Sequence, residues 1–380
     1  MKSNRIYIVF GEEHYNPLGI IRSLGRKHIK CVAIIKKNVF RLASKSKYIS
    51  KLHLVDSIQE GYDVLLSEYG NEKNKPIVFT SDDQITSFLD QRYNEIKNKF
   101  IFYNAGKENR IGFFMEKDNL NELAVKHGLT IAKSWIVKPG DIPRDIKYPI
   151  ITKAIISTID NWKDDVFICN NKEELMNAYK NIRSKKVILQ QFIDKKNELC
   201  YDGFSYNKGN NVCFAIASNY INIKKEAYSN YMIVKNAEYP ELENKIRSMI
   251  KEIGFEGIFS VEFLIDKDDN YYFLEINFRN STWSWAATKS GINMPYLWSQ
   301  AMIDNKKDDI PVNKFKPFKA MAELVDFNDR VKTHEISIFN WFFQMLGCKC
   351  KYFWDIKDIK PYFSRINYKF RKVIRGQHEN

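Results

Sequence analysis

Three kinds of pattern that would place this 380-residue chain in a membrane or outside the cell are missing from it. No apolar run approaches the ~18 residues that a membrane-spanning helix needs. The first residues lack the apolar segment and small-residue cleavage site of a secretory signal peptide. The six cysteines are scattered, and only Cys348 and Cys350 lie close together, without the second pair that a zinc site requires. We therefore expect a cytoplasmic protein with reduced thiols.

The chain also lacks the patterns of several common classes of protein. Gly11, Gly19 and Gly25 do not have the spacing of a dinucleotide-binding loop, so NAD is not expected. No serine or cysteine belongs to a recognisable nucleophile motif, and the six histidines show no metal-ligand spacing. The net charge of +14 is spread along the chain without a nucleic-acid-binding module, so nucleic acid is not expected as a partner. Surface lysine explains this charge, and an anionic substrate or membrane is the alternative explanation.

What the chain does contain is a hairpin pattern in residues 257–279, where two alternating apolar strands flank an Asp-Asp turn. Folding about this turn pairs residues whose numbers add to 537, which places Glu262 opposite Glu275. Side chains alternate along a strand, so Asn277 and Arg279 lie on the same face as Glu275. The pattern therefore predicts that two carboxylates and a carboxamide converge on one patch of sheet.

Facing carboxylates repel each other unless something neutralises them. A solvated outer face of an amphipathic hairpin is the simpler interpretation. Here both faces are apolar, with Leu264, Tyr271 and Phe273 expected near the carboxylates, and acids on a partly buried face need a partner. Mg²⁺ takes one or two carboxylates and completes its shell with phosphate and water. We therefore predict a magnesium site, with Mn²⁺ as an alternative, whose ligands are Glu262, Glu275 and Asn277.

The first 110 residues alternate between strands and helices. Residues 5–10, 17–25 and 29–35 are typical of a β-α-β unit, which implies a parallel sheet. Further strands are expected at 51–55 and 77–80, with a helix from 83 to about 97. This region therefore looks like a small doubly wound domain. Residues near the carboxyl ends of its strands, 16–19 and 81–83, are where such sheets bind ligands.

Glu262, the hairpin and the run Glu275-Ile-Asn277-Phe-Arg279 resemble the metal-binding signature of the ATP-grasp superfamily. The subgroup that the chain resembles best is that of the D-aspartate-ligase-like carboxylate–amine ligases. The resemblance implies an α/β chain in which a Rossmann-like N-terminal domain precedes an ATP-grasp fold of two α+β subdomains that clasp ATP, followed by a small C-terminal extension. The expected divisions are 1–112, 113–198, 199–304 with the metal site, and 305–380.

The same resemblance implies the nucleotide ligands. In the family pattern one lysine opens a helix and another closes a strand, and Lys117 and Lys153 occupy those places. An ammonium on a long stem suits phosphate oxygens that move during transfer. Adenine is held at a strand edge, which residues 187–193 fit, and a following acid binds the ribose, which Glu198 fits. The expected adenine contacts are Gln190, Gln191, Phe192 and Ile193.

One segment departs from the family pattern. The loop that follows the second lysine is often rich in glycine, so that its backbone can cradle phosphates. Residues 154–165 contain no glycine. Ser157 and Lys163, together with Thr158, are the phosphate partners that remain. Either these side chains substitute for the backbone, or the loop becomes ordered only upon binding.

The function that the resemblance implies is an ADP-forming carboxylate–amine ligase that acts through an acyl-phosphate. Arg279 would stabilise charge on the transferring group. Two alternatives remain, a small-molecule kinase on the same fold and a nucleotide-binding regulator without catalysis. The expected partners are a small carboxylate and an amine, with an anionic or lipid-linked precursor of cell-wall or surface-polysaccharide modification as one candidate, and a homodimer is a further candidate assembly.

Residues 305–380 are less readable, with a strand at 320–325, a helix at 336–346 and a basic tail. In the tail, apolar residues (Ile366, Phe370, Val373, Ile374) recur near one helical stripe, flanked by basic residues (Arg365, Lys369, Arg371, Lys372, Arg375). The simpler interpretation is a C-terminal helix that packs this stripe on the protein. The alternative is a helix that holds the chain at the inner face of a membrane.

Overall fold

The computed structural model describes residues 5–38, 41–154, 166–223 and 228–374, without the side chains of Ala154 and of residues 369–374. Within these ranges the strands form two four-stranded sheets and one seven-stranded sheet. The predicted serine and lysine ligands Ser157 and Lys163 lie outside the described residues. The order of the strands within each sheet determines which side chains can meet.

The N-terminal sheet is entirely parallel and has the strand order β3-β2-β1-β4, as its β-α-β pattern predicts. The predicted helix from 83 to 97 is wrong in its length, because two short helices replace it. The first ends at Asp90, whose carboxylate accepts a hydrogen bond of 2.9 Å from the backbone N–H of Gly112. The elements of this region are β1 (Tyr7–Glu12), α1 (Tyr15–Gly25), β2 (Cys31–Lys36), β3 (Ile49–Val55), α2 (Ile58–Tyr69), β4 (Ile77–Thr80), α3 (Asp83–Asp90), α4 (Tyr93–Ile96) and α5 (Arg110–Met115).

The second sheet is antiparallel, with the order β5-β8-β6-β7. One helix covers its apolar face, since Leu175 and Ala178 pack with Ile150 and Leu189 in a separate small core. The elements are α6 (Lys117–Lys126), β5 (Ser134–Val137), β6 (Ile150–Ala154), β7 (Ile168–Cys169), α7 (Lys172–Tyr179) and β8 (Val187–Gln191).

The third sheet carries the predicted hairpin and packs on the largest hydrophobic core. Its long helix begins with a proline in the first turn and ends at Gly254, whose φ of 75° is the left-handed conformation that favours glycine at a helix end. The elements are β9 (Lys195–Tyr206), β10 (Asn211–Tyr220), β11 (Tyr231–Lys235), α8 (Pro240–Ile253), β12 (Gly257–Asp266), β13 (Tyr271–Asn277), α9 (Trp285–Ser290) and α10 (Met294–Ile303).

The C-terminal region adds two strands to this third sheet, which has the order β13-β12-β9-β10-β11-β14-β15. The expected strand at 320–325 is partly wrong, because it ends at Met321 and a helix follows. The buried carboxylate of Glu323 accepts hydrogen bonds from the backbone N–H groups of Tyr352 and Phe353. The elements are β14 (Phe318–Met321), α11 (Glu323–Asp326), α12 (Ile338–Leu346), β15 (Cys350–Lys351) and α13 (Lys360–Ile374). The four domain divisions stay a prediction.

The basic tail forms the helix α13, and one of its predicted flanking charges is not at the surface. Arg365 is buried, and its guanidinium lies 5.7 Å from the ring of Tyr368. The idea that Arg365 flanks an exposed stripe is therefore wrong, because this side chain packs against the protein. Ile366 is half-buried, and the other residues of the stripe lie outside the described side chains. Across the described ranges, no helix combines the length and the apolar character needed to cross a membrane.

Candidate active site

The two carboxylates of the hairpin lie opposite each other, as the pairing rule predicts. Glu262 is the register partner of Glu275, and Ser260 is the partner of Asn277. The amide nitrogen of Asn277 donates to Glu262 Oε1 at 3.3 Å and to Glu275 Oε1 at 3.1 Å. One carboxamide therefore links both acids, and the three predicted metal ligands converge on one patch of β12 and β13.

This acidic patch carries charge that its surroundings disfavour. Burial raises the pKa of Glu262 well above its usual range, and the nearby carboxylates of Glu275 and Glu198 raise it further. Within the described ranges no group of three or more His, Cys, Asp or Glu side chains is arranged to hold a metal ion. A site of two carboxylates and one amide fits Mg²⁺, which takes its remaining ligands from phosphate and water. A divalent cation would offset the repulsion between the two acids.

The pairing rule fails one residue beyond Glu262. A β-bulge shifts the register there, so that Phe263 pairs with Phe273. Phe273 is buried with its ring centroid 5.8 Å from that of Phe263, and Tyr271 packs 5.6 Å from Tyr239. The expectation that Phe273 and Tyr271 lie near the carboxylates is therefore wrong, because a one-residue shift turns these side chains to the core.

Arg279 lies at the junction of the hairpin with the N-terminal domain. Its Nε donates to Asp83 Oδ1 at 2.9 Å, and its Nη2 donates to Asp83 Oδ2 at 2.8 Å and to Asn277 Oδ1 at 3.1 Å. The guanidinium is thus fixed beside the acidic patch. His14 is nearby, and burial, followed by the charge of Arg279, lowers its pKa to about 4. The imidazole is therefore neutral at physiological pH, and it accepts a hydrogen bond from the backbone N–H of Asn16 at 3.2 Å.

The two predicted lysines also lie close to the acidic patch. Lys117 is the first residue of α6, and Lys153 is in β6, where its Nζ donates to Gln190 Oε1 at 2.6 Å. Burial lowers the pKa of Lys153 to about 8, the charge of Lys117 lowers it further, and Glu275 acts in the opposite direction. The desolvated ammonium of Lys153 and the nearby positive charge of Lys117 favour an anion beside them.

A cavity of about 630 Å³ opens beside these groups. Its lining combines residues of the hairpin, of α6 and of the N-terminal helix α3. Phe88, Met115 and Leu120 supply apolar surface, and the charged and amide side chains are Asp83, Gln84, Gln91, Lys117, Asn121, Glu275 and Asn277. The cavity has the mixed lining of a small-molecule site.

The strand expected to hold adenine, β8, lies inside its sheet, whereas an edge position was predicted. β8 pairs with β5 on one side and with β6 on the other, so it is not an edge strand. The backbone N–H of Gln191 donates to Lys133 O at 2.8 Å, and that of Phe192 donates to Pro149 O at 3.0 Å. The edge prediction is wrong because Ser134–Val137, a short strand, covers that side. Adenine contacts by Gln190, Gln191, Phe192 and Ile193 stay a prediction.

The predicted ribose ligand has a partner within its own strand. Glu198 Oε1 accepts from Lys195 Nζ at 2.6 Å, and both side chains are almost completely buried, with exposed fractions of 10% and 7%. Glu198 is also close enough to Glu262 to raise its pKa. The residue therefore lies beside the acidic patch, and its contact with ribose stays a prediction.

Sequence reasoning missed one buried acid beneath the hairpin. Asp202 is the register partner of Ser260 on β9, and its Oδ1 accepts from the hydroxyls of Ser281 at 2.5 Å and Ser284 at 2.9 Å. Burial raises the pKa of Asp202 to about 6. These bonds fix the segment after Arg279 against the sheet. Asp202 lies four residues after Glu198 in β9, so alternation places the two acids on the same face of the strand. This pattern is a signal from which Asp202 could have been predicted.

Comparison with known proteins supports the interpretation of this site. Residues 116–301 match the family model described as "Carbamoyl-phosphate synthase L chain, ATP binding domain". An N5-carboxyaminoimidazole ribonucleotide synthase of Staphylococcus aureus is 26% identical over 170 residues, which is 42% of this chain and 42% of that protein. The chain thus matches less than half the length of this curated relative.

Solved structures resemble a larger part of the chain. The crystal structure of N5-carboxyaminoimidazole synthetase from Staphylococcus aureus has a TM-score of 0.61 at 16% identity and covers 87% of this chain and 86% of its own. The L-amino acid ligase from Bacillus licheniformis has a TM-score of 0.60 at 14% identity and covers 79% of this chain and 74% of its own. These likenesses show the fold.

The fold and the matched domain define an ATP-grasp protein, with a Rossmann-like domain ahead of the two clasping subdomains. The chain resembles the ATP-grasp superfamily, and its match to the family model covers residues 116–301. The predicted superfamily and fold class are confirmed. The narrower resemblance to D-aspartate-ligase-like enzymes stays a prediction.

Proposed function

We propose that this protein is an ATP-dependent, ADP-forming ligase that joins a carboxylate to an amine. The observation that carries the proposal is the convergence, beside one cavity, of an acidic patch with a desolvated lysine, a second lysine and a fixed arginine. Such a set can hold a metal-bound triphosphate and stabilise the charge that moves during phosphoryl transfer. The relatives named as a synthase and as an L-amino acid ligase support ligase chemistry.

Each group has a distinct part in this proposal. Glu262, Glu275 and Asn277 would hold Mg²⁺, which supplies neutralisation of phosphate charge when it is bound. Lys153 and Lys117 would contact phosphate oxygens, because the charge of Lys117 acts on Lys153 and Lys117 lines the same cavity as Glu275. Ser157 and Lys163 are further candidates on the glycine-free loop. Glu198 would bind the ribose hydroxyls.

The proposed reaction has two steps. A carboxylate oxygen of the substrate attacks the γ-phosphorus of ATP, the bond to the bridging oxygen breaks, and ADP leaves with the electron pair, which gives an acyl-phosphate. The nitrogen of the amine then attacks the acyl carbon, phosphate leaves, and the nitrogen loses a proton. Arg279 is the candidate catalytic residue, because its guanidinium is held within reach of the acidic patch.

We also propose a class of substrate and a cellular location for the enzyme. Resemblance to carboxylate–amine ligases suggests work in cell-wall or surface-polysaccharide modification, on a small carboxylate and an amine or on an anionic, lipid-linked precursor. Lys117 in the lining of the cavity and the nearby Lys153 favour a substrate that carries negative charge. We also propose that the enzyme works in the cytoplasm, where its free cysteines would stay reduced.

An ADP-release screen tests the proposal. Purified protein with MgATP would be incubated with each amino acid, alone and paired with amine acceptors, and mass spectrometry would identify the product. ADP release that requires both substrates, with an amide product, is the expected result. A stable phosphorylated product without an amine would instead indicate a kinase. Nucleotide binding without ADP release from any pair would indicate a regulator.

A further inference from the structure

Asn16 is a buried asparagine in the first turn of α1, and its side chain bonds to two distant parts of the chain. Its amide nitrogen donates to Ser81 O at 2.9 Å and to Asn280 O at 2.7 Å, and its Oδ1 accepts from Asn280 Nδ2 at 2.6 Å. A carboxamide has two hydrogens to donate, and both of them are used here. The side chain therefore joins segments that the sequence separates by 65 and 264 residues.

The two segments that Asn16 joins carry the two partners of the ion pair between Arg279 and Asp83. Ser81 lies two residues before Asp83, and Asn280 directly follows Arg279. The carbonyl oxygen of Asn280 accepts from Asn16 and also, at 3.4 Å, from Nη1 of Arg279. Asn16 therefore holds the main chain on both sides of the ion pair and shares one acceptor with the guanidinium.

The junction around Asn16 is closely packed. Ser81 and Asn280 are both buried, and the backbone N–H of Asn280 donates to Thr80 O at 3.3 Å. A Cβ atom on Gly11, at the end of β1, would lie 2.5 Å from Ser81 Oγ. A buried carbonyl oxygen that loses its donor is costly. Without the amide of Asn16, the two segments would therefore move until their carbonyls found other donors.

We propose that Asn16 is a positioning residue, whose amide sets the orientation of the Arg279 guanidinium toward the transferring group. The inference rests on the proposed ligase function, in which Arg279 stabilises charge during phosphoryl transfer. A group with that task must be held to within about 0.5 Å by side chains that hydrogen bonds have themselves fixed. Asn16 is not among the described residues that line the cavity, so it acts through the arginine and not on a substrate.

A tie between segments that serves only the fold is the simpler interpretation of Asn16, and the chain offers a matched example of such a tie. Asn293 is also buried, its amide nitrogen donates to Ser23 O at 2.6 Å, and its Oδ1 accepts from the backbone N–H of Tyr296 at 3.2 Å. It too joins α1 to a segment far away in the sequence. Neither of its partners adjoins Arg279 or its acid in the sequence, so Asn293 serves as the control.

Steady-state ADP release and calorimetric titration of MgATP test the proposal on the full-length protein. Asn16→Ala should lower kcat by about 10–10²-fold, the effect of a small misplacement of a catalytic group, and leave the dissociation constant of MgATP unchanged. Asn293→Ala should keep the wild-type kcat. The double variant Asn16→Ala/Arg279→Lys should be no slower than Arg279→Lys alone, because the first change acts through the arginine. Equal kcat values for the two asparagine variants would overturn the proposal, and so would additive losses in the double variant.

A measurement without turnover separates this inference from the ligase proposal. In protein labelled with isotopic arginine, the NMR signal of the Arg279 Nε–H group, identified by its absence from Arg279→Lys, reports the bond to Asp83. Asn16→Ala should shift this signal or speed its exchange with water, and Asn293→Ala should do neither. An unchanged signal in Asn16→Ala would overturn the positioning role.

The two proposals can therefore fail separately. If the wild-type protein released no ADP with any substrate pair, the ligase proposal would fail, and the NMR signal would still decide whether Asn16 orients Arg279. Thermal melts establish that the variants fold. If Asn16→Ala does not fold, Asn280→Ala, which removes one of the three bonds to Asn16, should show the same two changes to a smaller degree. Wild-type kcat and an unchanged arginine signal in that variant would overturn the proposal.

Discussion

Arg279 and Asp83 form a two-point ion pair that joins the end of the hairpin to the first residue of α3, with N–O distances of 2.9 and 2.8 Å. The third nitrogen of the guanidinium, Nη1, makes only a 3.4 Å contact with the carbonyl of Asn280. The N-terminal domain therefore orients the arginine of the site, while Nη1 keeps hydrogen-bonding capacity for an anion. Asp83 is a positioning residue in this arrangement.

The ion pair predicts the effect of replacing the guanidinium by an ammonium. Arg279→Lys keeps the charge but loses the planar fork, so kcat for ADP formation should fall by about 10²–10³. Asp83→Asn should cause a smaller loss of kcat, since the arginine keeps its bond to Asn277. Steady-state ADP release and nucleotide titration separate kcat from binding. A lysine variant with wild-type kcat would remove Arg279 from the reaction.

The facing carboxylates predict the effect of removing one charge. Glu275→Gln should abolish ADP formation, because one metal ligand loses its charge, while the fold is kept in the absence of Mg²⁺. Loss of repulsion toward Glu262 should, if anything, raise the melting temperature. Glu241→Gln, at an exposed position on α8, is the matched control and should turn over normally. Near-normal turnover of Glu275→Gln at saturating Mg²⁺ would refute the metal assignment.

The buried lysine of β6 predicts a loss of nucleotide affinity. Lys153→Ala should weaken MgATP binding by roughly 1.5–3 kcal/mol, the scale of hydrogen bonds to charged groups. Lys180→Ala, at the exposed residue that caps the C-terminal end of α7, should bind as wild type does. Calorimetric titration measures both dissociation constants. An unchanged constant for Lys153→Ala means that this residue does not contact the nucleotide.

The lowered pKa of Lys153, about 8, predicts how this affinity depends on pH. The side chain loses its proton above that value, so the dissociation constant for MgATP should rise from pH 7 to pH 9. The Lys153→Ala variant should not show this rise. The free energy of unfolding depends on pH in the opposite direction to the nucleotide affinity. The unfolded chain, with a lysine pKa near 10.4, binds more protons between pH 8 and 10, so this group's contribution to the free energy of unfolding grows with pH there.

The hairpin was readable from the sequence because alternation and pairing are local rules. Glu262, Glu275 and Asn277 were placed correctly without any long-range information. The bulge after Glu262 was not readable, since residues 271–274 are all apolar or aromatic and their pattern does not show where an extra residue turns the side chains over. Asp83 lies 196 residues from Arg279, and the interior position of β8 depends on a short distant strand. The Asp83–Arg279 pair and the interior position of β8 both follow from tertiary packing, which local sequence patterns do not report.

For α12 too, the sequence predicts the helix, but only tertiary contacts decide which of its sides is buried. A helix at 336–346 was predicted, and the structure has it at Ile338–Leu346. Its apolar residues surround the helix axis, so periodicity could not say which side packs against the protein. Only the contacts of Trp341 with Asp326 and Phe327 decide that the phenylalanines face outward.

The C-terminal region is joined to the N-terminal domain by a fully buried ion pair. Arg22 Nε donates to Asp358 Oδ2 at 3.1 Å, and neither side chain is exposed. The guanidinium also donates to the carbonyls of Tyr352, Phe353 and Asp358, and Asp358 accepts from Ser46 Oγ at 2.7 Å. Removing one partner leaves a buried charge without compensation, which is costly.

Asp358→Ala should therefore lower the free energy of unfolding by about 3–5 kcal/mol. Lys37→Ala breaks the exposed pair with Asp56 and should leave the free energy of unfolding almost unchanged. The double variant Arg22→Met/Asp358→Ala should lose less than the sum of its single variants, because no unpaired charge remains at the site. Urea unfolding of these three variants and of the single variant Arg22→Met measures these differences. If Asp358→Ala and Lys37→Ala proved equally stable, the buried pair would not be what fastens α1 to the C-terminal region.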